Sequence, residues 1–399
     1  MAIPVVTAFQ LIFVLISYCA AQDGSSNAKI YDVMKYGAVP NGKDDNSKQF
    51  WRAWEDACQW NGKGVMLIPK GIYKLYPVKF TGPCKGSTAV RIVGNLKAST
   101  DITVNPWINF QSVHRLIVEG NGTVDGEGAS VWSRYGCKHN QTAHCQPLPI
   151  SIGFNFVTNS KIRDLNMLNS KGVHMKVFSS QKVMITGVKI TAPEDSPNTD
   201  GINISESRDI KVHECNIATG DDCVSMLNGN ENVEIFHVAC GPGHGISVGS
   251  LGESSAGKNM SMVKGLHVKN CSFSGTENGL RIKTWAPSEP GLVSDFVYEN
   301  VEMENANNPI IVDQHYCPDE HCDKNPQSSI QIKNVTFNNI WGQSSTQIAV
   351  NIQCSSKVPC LQFKLQDINL DYNGRGVAKS ECSNVYGQAY GREQPPGCL

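Results

Sequence analysis

Between residues 161 and 370 the chain alternates apolar and polar residues in short segments, and each segment contains or precedes Asn, Asp or Gly. The segments recur at intervals of roughly 20 to 35 residues. Alternation with a period of two, rich in β-branched residues, predicts strands. The segments are KIRDLNML at Lys161, VMITGVKI at Val183, DIKVHECNI at Asp209, VEIFHVAC at Val233, LHVKNCSF at Leu266, FVYENVEM at Phe296, IQIKNVTF at Ile330 and FKLQDINL at Phe363.

The repeat carries no helical pattern between its strands, so each unit must bury its apolar face against the next one. An all-β, single-domain, right-handed parallel β-helix satisfies both the strand pattern and the repeat. An antiparallel sandwich is the alternative. It requires hairpin turns such as Asn-Gly at every second connection, and these are sparse in the sequence.

Both ends of such a solenoid must be covered. Residues 45–58 predict a short capping helix, because Phe50, Trp54 and Cys58 recur every four residues and Asp45, Asn46 or Ser47 is able to cap its start. We place this N-terminal cap at about residues 28–60. The tail at about residues 375–399, rich in Gly, Pro and Cys, predicts an irregular, disulfide-tied cover, and no linker divides residues 22–399.

The first 21 residues predict a signal peptide. An apolar stretch at residues 5–16 precedes the small residues Cys19, Ala20 and Ala21, where cleavage is expected. The stretch lacks a preceding Lys or Arg, so an uncleaved membrane anchor is the alternative. Six Asn-x-Ser/Thr sequons also fit a secreted, extracellular protein, and they begin at Asn121, Asn140, Asn203, Asn259, Asn270 and Asn334.

Fifteen cysteines include Cys19 of the leader, which leaves 14, an even number, and disulfides are the expectation for them in a secreted chain. A zinc site is disfavoured because the sequence has no compact Cys/His quartet. Several pairs are predicted at short range: Cys137 with Cys145, Cys223 with Cys240, Cys317 with Cys322, Cys354 with Cys360, and Cys382 with Cys398.

The formal net charge is −1. A nucleic-acid binder with a broad basic surface is therefore excluded, and any polyanionic partner must be held by a few local cations. Neither a metal nor a cofactor is implied by the sequence, and we expect a monomer.

Polar motifs fall on successive repeats. Asp200 precedes Asp221 by one repeat, and Asp222 precedes His244 by another, so these side chains should lie side by side on adjacent coils about 4.8 Å apart. Arg281 and Lys283 are two residues apart and face the same side of the following coil. The motifs are Asn198-Thr199-Asp200, Gly220-Asp221-Asp222, Gly243-His244-Gly245 and Arg281-Ile282-Lys283, followed by Tyr316.

This combination indicates glycoside hydrolysis at an acidic sugar. One carboxylic acid protonates the leaving oxygen and another carboxylate aims a water, at a separation of about 6.5 to 9.5 Å in inverting enzymes. Crowding three acids raises the pKa of at least one of them. We expect activity to be best on the acid side of neutral, and a profile that peaks above pH 8 would contradict this. Both Asp221 and Asp222 reach the groove only if the backbone bends there, which Gly220 permits.

The motifs SPNTDG at Ser196, TGDDC at Thr219, CGPGHGISVGSLG at Cys240 and RIKTW at Arg281 resemble the polygalacturonase family of glycoside hydrolases, as does the opening VMKYGAVPNGKDDNSKQF at Val33. The resemblance implies an inverting β-helical enzyme that cuts α-1,4-linked galacturonan in the cell wall. It implies the following roles: Asp221 as general acid, Asp200 and Asp222 as the carboxylates that activate water, His244 as support of the acid, and Asn198, Arg281, Lys283 and Tyr316 as substrate-binding residues.

Two features refine this expectation. The stretch WSRYGCKHNQTAHCQPLPISIGF at Trp132 most resembles plant exo-acting members, including those of pollen, and a Cys137–Cys145 loop would block one end of a groove. Asn203 stands where many relatives carry an acid, and we predict that this sequon beside the groove carries no glycan.

Other functions remain open at this point. An endo-acting polygalacturonase or a rhamnogalacturonan or xylogalacturonan hydrolase would share the fold. A pectate lyase would need calcium and a basic catalyst, and its product would absorb at a double bond. A wall-binding or allergen-like protein without turnover is the non-enzymatic alternative.

Overall fold

The computed structural model describes residues 28–133, 147–253, 260–318 and 327–399. Parallel strands dominate it and form two long sheets, one of 21 strands and one of 11. Each coil of the solenoid contributes one or two strands to the first sheet, and most coils contribute one to the second. The all-β, right-handed parallel β-helix predicted from the sequence is therefore confirmed.

The strands, in chain order, are β1 Lys29–Asp32, β2 Asn41–Asp45, β3 Gly64–Ile68, β4 Ile72–Leu75, β5 Val78–Thr81, β6 Thr88–Ile92, β7 Asn95–Ala98, β8 Ile108–Gln111, β9 Leu116–Glu119, β10 Thr123–Asp125, β11 Ile152–Asn155, β12 Thr158–Arg163, β13 Asn166–Leu168, β14 Met175–Phe178, β15 Gln181–Thr186, β16 Lys189–Thr191, β17 Ile202–Ser205, β18 Arg208–His213, β19 Asn216–Ala218, β20 Val224–Met226, β21 Asn230–Phe236, β22 Ala239–Cys240, β23 Ile246–Leu251, β24 Ser261–Ser274, β25 Asn278–Trp285, β26 Gly291–Ala306, β27 Asn308–Tyr316, β28 Ile330–Ser344, β29 Ile348–Gln353, β30 Cys360–Tyr372, β31 Lys379–Ser383 and β32 Val385–Gln394. The second sheet consists of β5, β8, β11, β14, β17, β20, β23, β25, β27, β29 and β31. Helix α1 spans Ser47–Gln59, the short helix α2 spans Ala129–Trp132, and a 3₁₀ turn spans Val33–Tyr36.

The Asn and Asp residues that recur in the repeat form the corners of the coils. In four successive long strands the bend falls at Asn270, Asn300, Asn339 and Asp367, whose φ values lie between 52° and 54°. This left-handed region is reached most cheaply by Gly, Asn and Asp. Strand pairs such as β12 and β13 in the earlier coils thus become one long bent strand in the later coils.

Stacked rings and aliphatic side chains fill the interior of the solenoid. Phe80, Phe110 and Phe154 follow one another on adjacent rungs, with ring centroids 5.2 and 5.4 Å apart. Tyr298 and Phe337 stack at 4.8 Å. Because the parallel register places equivalent residues above one another, each inward-facing position of the repeat becomes a column of the core.

Helix α1 covers the N-terminal end, as the sequence predicted. Its apolar face is buried, and Trp54 contacts Phe80 and Phe110 at centroid distances of 5.2 and 5.7 Å. Asn46 precedes the helix, but its side chain makes no capping bond. Instead Asp45 accepts a hydrogen bond from the Ser47 amide at 2.9 Å.

The two predicted end regions are more regular than expected. The solenoid already begins at β1 within the predicted cap, and the tail contains β31 and β32, which pair in parallel with β29 and β30. The prediction that the C-terminal tail is irregular is therefore wrong. The early strands are only three to five residues long, so an alternation such as that of β5 is too short to stand out in the sequence. Strand β32 is largely exposed.

Four disulfides join described residues: Cys58–Cys84, Cys223–Cys240, Cys354–Cys360 and Cys382–Cys398. Three of these were predicted. The predicted pair Cys137–Cys145 lies outside the described residues, as does Cys322, the predicted partner of Cys317.

Full pairing of the 14 cysteines is wrong, because Cys215 and Cys271 are buried free thiols. Both occupy the same interior column, with Val238 on the rung between them. Two rungs span about 10 Å, beyond the reach of a disulfide, whose Cα atoms lie about 4.4 to 6.8 Å apart.

The predicted signal peptide lies outside the described residues. Across the ranges that the structure describes, we find no helix with the length and apolar character needed to cross a membrane.

Candidate active site

The predicted motifs meet on the outer side of the second sheet. Strands β17, β20, β23 and β25 are neighbours, and Ile202, Val224, Ile246 and Leu280 lie in register across them. A groove of about 500 Å³ runs over this region. All eight residues predicted for the site line it: Asn198, Asp200, Asp221, Asp222, His244, Arg281, Lys283 and Tyr316.

The turn that carries Asp221 and Asp222 lies between β19 and β20, outside strand geometry, as predicted. The reason for Gly220 differs from the one expected. An added Cβ at Gly220 would lie 2.1 Å from the carbonyl oxygen of Ser196, so the glycine allows close approach of two turns. Its amide donates to Thr199 Oγ1 at 3.0 Å, which ties this turn to the turn that carries Asp200.

Asp221 is paired with His244. The carboxylate Oδ1 lies 3.2 Å from His244 Nδ1 and also accepts from the Asp222 amide at 2.7 Å. Burial acts to raise the pKa of Asp221, but the hydrogen bond and charge of His244 outweigh it and the pKa is lowered. Burial likewise opposes the His244 imidazolium, yet the Asp221 carboxylate raises its pKa above the usual 6.5.

Asp222 is buried and surrounded by cations. Its Oδ2 accepts from Lys283 Nζ at 3.2 Å, and its Oδ1 lies 3.6 Å from Arg281 and accepts from Ser247 Oγ. Charge-assisted contacts of this kind fix the orientation of a carboxylate. Asp222 is therefore an anchored carboxylate at the floor of the groove.

Asp200 has the opposite environment. Although the residue is half-buried overall, its carboxyl group is surrounded by protein, and its one side-chain hydrogen bond comes from Ser225 Oγ at 2.7 Å. Burial and the charges of Asp221 and Asp222 raise its pKa well above the usual value. Two carboxylates beside a third make the protonated form of that third group the stable one.

The expected rise of one pKa in the acid cluster is thus found at Asp200. The pKa of Asp221, to which the resemblance assigns the general acid, is lowered. In the groove without substrate, these surroundings favour the protonated form of Asp200 and the ionised form of Asp221 beside His244.

Arg281 and Lys283 lie on the outward face of β25, as their spacing predicted. Arg281 Nε donates to Ser247 Oγ at 3.2 Å. The Lys283 ammonium lies 5.3 Å from the ring centroid of Tyr316, and that ring packs edge-on against Trp285. The cations and the aromatic ring lie at the side of the groove toward the C-terminal coils.

Asn198 and Asn203 line the groove on the other side. Asn198 is exposed, with φ of 50°, in the turn before Asp200. Asn203 is buried, and its Nδ2 donates to Ser225 Oγ at 2.9 Å, while the same hydroxyl donates to Asp200. The burial of Asn203 and this hydrogen bond agree with the prediction that its sequon carries no glycan.

Sequence reasoning missed two supporting residues. Glu277 Oε2 lies 3.2 Å from His244 Nε2, and its Oε1 lies 3.9 Å from Arg281, so it bridges two of the motifs. Its position four residues before Arg281 was the available clue. His174, which is buried, holds the backbone of Asp200: its amide donates to the Asp200 carbonyl at 2.8 Å, and burial lowers the pKa of its ring to about 4.

An oxygen of Asp221, one of Asp222 and a nitrogen of His244 all lie within 4.8 Å of one another. The turn places the side chains of two consecutive residues in the groove and so brings these groups together.

The same three groups could in principle ligate a cation. Two observations argue against a resident metal: Lys283 and Arg281 already neutralise Asp222, and His244 is held between Asp221 and Glu277. A divalent ion would have to compete with these cations for the same oxygens.

A parallel β-helix with crowded carboxylates and adjacent cations in an outer groove defines a class of carbohydrate-active enzymes. The model of the glycosyl hydrolases family 28 matches residues 58–391. The chain belongs to this family and is a glycoside hydrolase. The resemblance stated from the motifs is confirmed.

Relatives span nearly the whole chain. An exopolygalacturonase of Platanus acerifolia is 41% identical over 375 residues, which covers 93% of this chain and 98% of the relative. A polygalacturonase of Nicotiana tabacum is 39% identical and covers 98% and 97%. The solved exopolygalacturonase of Thermotoga maritima has a TM-score of 0.75 at 17% identity and covers 90% of each chain, a similarity that supports the fold.

Proposed function

We propose that this protein hydrolyses the α-1,4-galacturonosyl linkages of pectic polygalacturonate. The observation that carries the proposal is the row formed by three carboxylates, His244, Arg281 and Lys283 in one groove. An acidic sugar brings a carboxylate that would be desolvated in this groove, and the guanidinium and ammonium groups compensate it. The family and the names of the plant relatives agree with this substrate class.

The roles of the acids follow from their environments. Asp221 is the general acid, Asp222 is the anchored carboxylate that orients water, and Asp200 shares this task and stores a proton. When the substrate carboxylate enters, it adds negative charge beside Asp221 and raises the pKa of that group. His244, in contact with Asp221 at 3.2 Å, is placed to deliver the proton.

We propose inversion at the anomeric carbon, on the strength of the family resemblance. A carboxylate pair that holds a water gives single displacement, whereas a nucleophilic carboxylate gives retention. Proton NMR of fresh product tests this directly: a first-formed β anomer supports inversion, and a first-formed α anomer would assign Asp222 or Asp200 as nucleophile.

We further propose that the enzyme is exo-acting and releases galacturonate from the chain end. Relatives named exopolygalacturonase are 41% and 39% identical over nearly the full length. Incubation with polygalacturonate, followed by chromatography of the products, separates the possibilities. Monomeric galacturonate alone supports exo action, a mixture of oligomers supports endo action, an unsaturated product indicates a lyase, and absence of any product refutes the proposed function.

Asp221→Asn tests the general acid. We expect kcat to fall at least about a thousandfold, because the amide is unable to donate the proton to the leaving oxygen. Asp164→Asn, on the exposed corner after β12, is the matched control and should keep full activity. Equal melting temperatures for the two variants exclude unfolding. Residual activity of Asp221→Asn within tenfold of wild type would remove Asp221 from its assigned role.

We further propose a secreted monomer that acts in the cell wall. Four disulfides within the described residues favour an extracellular location.

A further inference from the structure

The outward-facing column of the second sheet on which the site is built continues toward the N-terminal coils. Along the second sheet, Lys176, Asn203, Ser225, Ser247 and Arg281 occupy one outward-facing column on five consecutive strands. Three short polar side chains thus lie between two cations. The acids approach this column from the turns beside it, since Ser225 contacts Asp200 and Ser247 contacts Asp222.

Lys176 is a half-buried cation at the far end of this column. Its neighbours in the strand, Met175 and Val177, are fully buried, so the Lys176 side chain faces outward. It forms no ion pair and no side-chain hydrogen bond within the described residues, and its ammonium lies 5.9 Å from the ring centroid of Phe178. Burial lowers the pKa of Lys176, although the nearby charge of Asp200 acts in the opposite direction.

One rung further toward the N-terminus, a proline ring covers the column. The next residue of the column is Gly153 on β11. A Cβ added to Gly153 would meet Pro106 Cγ at 2.6 Å, so the proline ring lies directly on this glycine. The segment that carries Pro106 is fixed on both sides, because Ile150 N donates to Asn105 Oδ1 at 2.9 Å and Trp107 N donates to the Ile150 carbonyl at 2.8 Å.

We propose that Lys176 binds the carboxylate of the galacturonosyl unit at the end of the chain, on the opposite side of the scissile bond from Arg281 and Lys283, and that Pro106 ends the groove behind this unit. This inference rests on the proposed function and names the residues that recognise the chain end. The floor extends one rung, about 4.8 Å, from Asn203 to Lys176 before Pro106 covers it. A terminal sugar fits in this length, and a continuing polymer does not.

Charge complementarity at a closed end favours this role of Lys176. A half-buried ammonium such as that of Lys176, which has no ion-pair partner among the described residues, gains a charge-assisted hydrogen bond when a carboxylate arrives, whereas an exposed lysine gains little. The neighbouring acids would otherwise repel a second galacturonate carboxylate. Lys176 therefore offsets the negative potential of the acid cluster on the side of the groove that lacks Arg281 and Lys283.

Lys176→Gln tests the binding role, with trigalacturonate and polygalacturonate as substrates. We expect KM to rise at least about tenfold, with kcat within about threefold of wild type. Lys176→Arg should restore most of the loss. The matched control is Lys79→Gln, which removes an exposed lysine from the same column on β5 and should leave both constants unchanged.

Pro106→Gly tests the closed end separately. We expect this variant to release oligomers from polygalacturonate in addition to monomer, with the melting temperature showing that it is folded. A KM for Lys176→Gln within twofold of wild type overturns the binding role, and a monomer-only product from folded Pro106→Gly overturns the closed end. If wild-type protein releases no product, the proposed function itself fails, an outcome distinct from both.

Discussion

The three carboxylates of the groove have the same chemistry and different surroundings. Asp222 is buried against Lys283 and Arg281, Asp221 is paired with His244, and Asp200 is desolvated with one hydrogen bond from Ser225. Their motifs could be read from the sequence, as could the cations. The sequence could not show which acid favours the protonated form, because desolvation and neighbouring charge depend on distances that sequence order does not give.

Asp200→Asn should stabilise the folded protein at neutral pH. The folded-state pKa of Asp200 is raised, so above a pH of about 4 the unfolded chain loses this proton first and the native state is disfavoured. The amide removes this penalty. We expect the variant to melt a few degrees higher than wild type at pH 7 and at the same temperature near pH 3. Calorimetry at both values measures the difference, and a lower melting temperature at pH 7 would contradict it.

Glu277→Gln should lower the pKa of His244. The Glu277 carboxylate lies 3.2 Å from His244 Nε2, and its charge is one of the influences that raise this pKa. The imidazolium, which is present below the raised pKa, should therefore be lost at lower pH in the variant. NMR titration of the histidine signals measures the shift. Glu299→Gln is the matched control, since Glu299 pairs with His267 at 2.9 Å and should leave His244 unchanged.

At the scale of elements, the turns between strands carry the acids and His244, and the pairing of the strands sets the spacing of these turns. The pattern of alternation predicted the later strands well, because each is long and half-buried. It missed the early strands, which are only three to five residues long, and β32, which is largely exposed. The turn that holds Asp221 is fixed by contacts across the solenoid, including the disulfide from Cys223 to Cys240.

Two disulfides close loops of nearly equal length, so comparing their removal distinguishes an effect on stability from an effect on catalysis. Cys223 and Cys240, beside the acids, are 17 positions apart in the sequence, and Cys382 and Cys398, at the C-terminal end, are 16 apart. Replacing either pair with serine should lower the free energy of unfolding by about 3 kcal/mol. We expect kcat to fall only for the Cys223/Cys240 variant, measured well below its melting temperature. An equal loss of kcat in both variants would show that the effect is not local.

At the scale of the whole molecule, stacking brings residues that are more than 100 positions apart into one groove. Tyr316 and Asp200 line the same site because four strand pairings, from β17 through β27, separate them in space by only a few rungs. The stacking also determines which surface positions are accessible to other enzymes, such as those that attach glycans.

Peptide mapping of secreted protein should find glycans at exposed sequons and none at Asn203. Asn121, Asn270 and Asn334 are exposed, whereas Asn203 is buried with its amide donating to Ser225. The transferase requires an accessible side-chain nitrogen, which only the exposed sites offer. The same map should begin near residue 22 if the leader is removed as predicted. A glycan on Asn203 would place that strand differently from the fold described above.

The sequence by itself determined the parallel coil, the capping helix and the residues of the groove, because a repeat in a solenoid translates directly into columns in space. The motifs kept their order and fell one coil apart, as predicted. Tertiary structure alone decided the proton distribution among the acids, the two free thiols of Cys215 and Cys271, and the cover that Pro106 places over Gly153. These depend on desolvation and on close approach between distant segments, and a linear pattern carries neither.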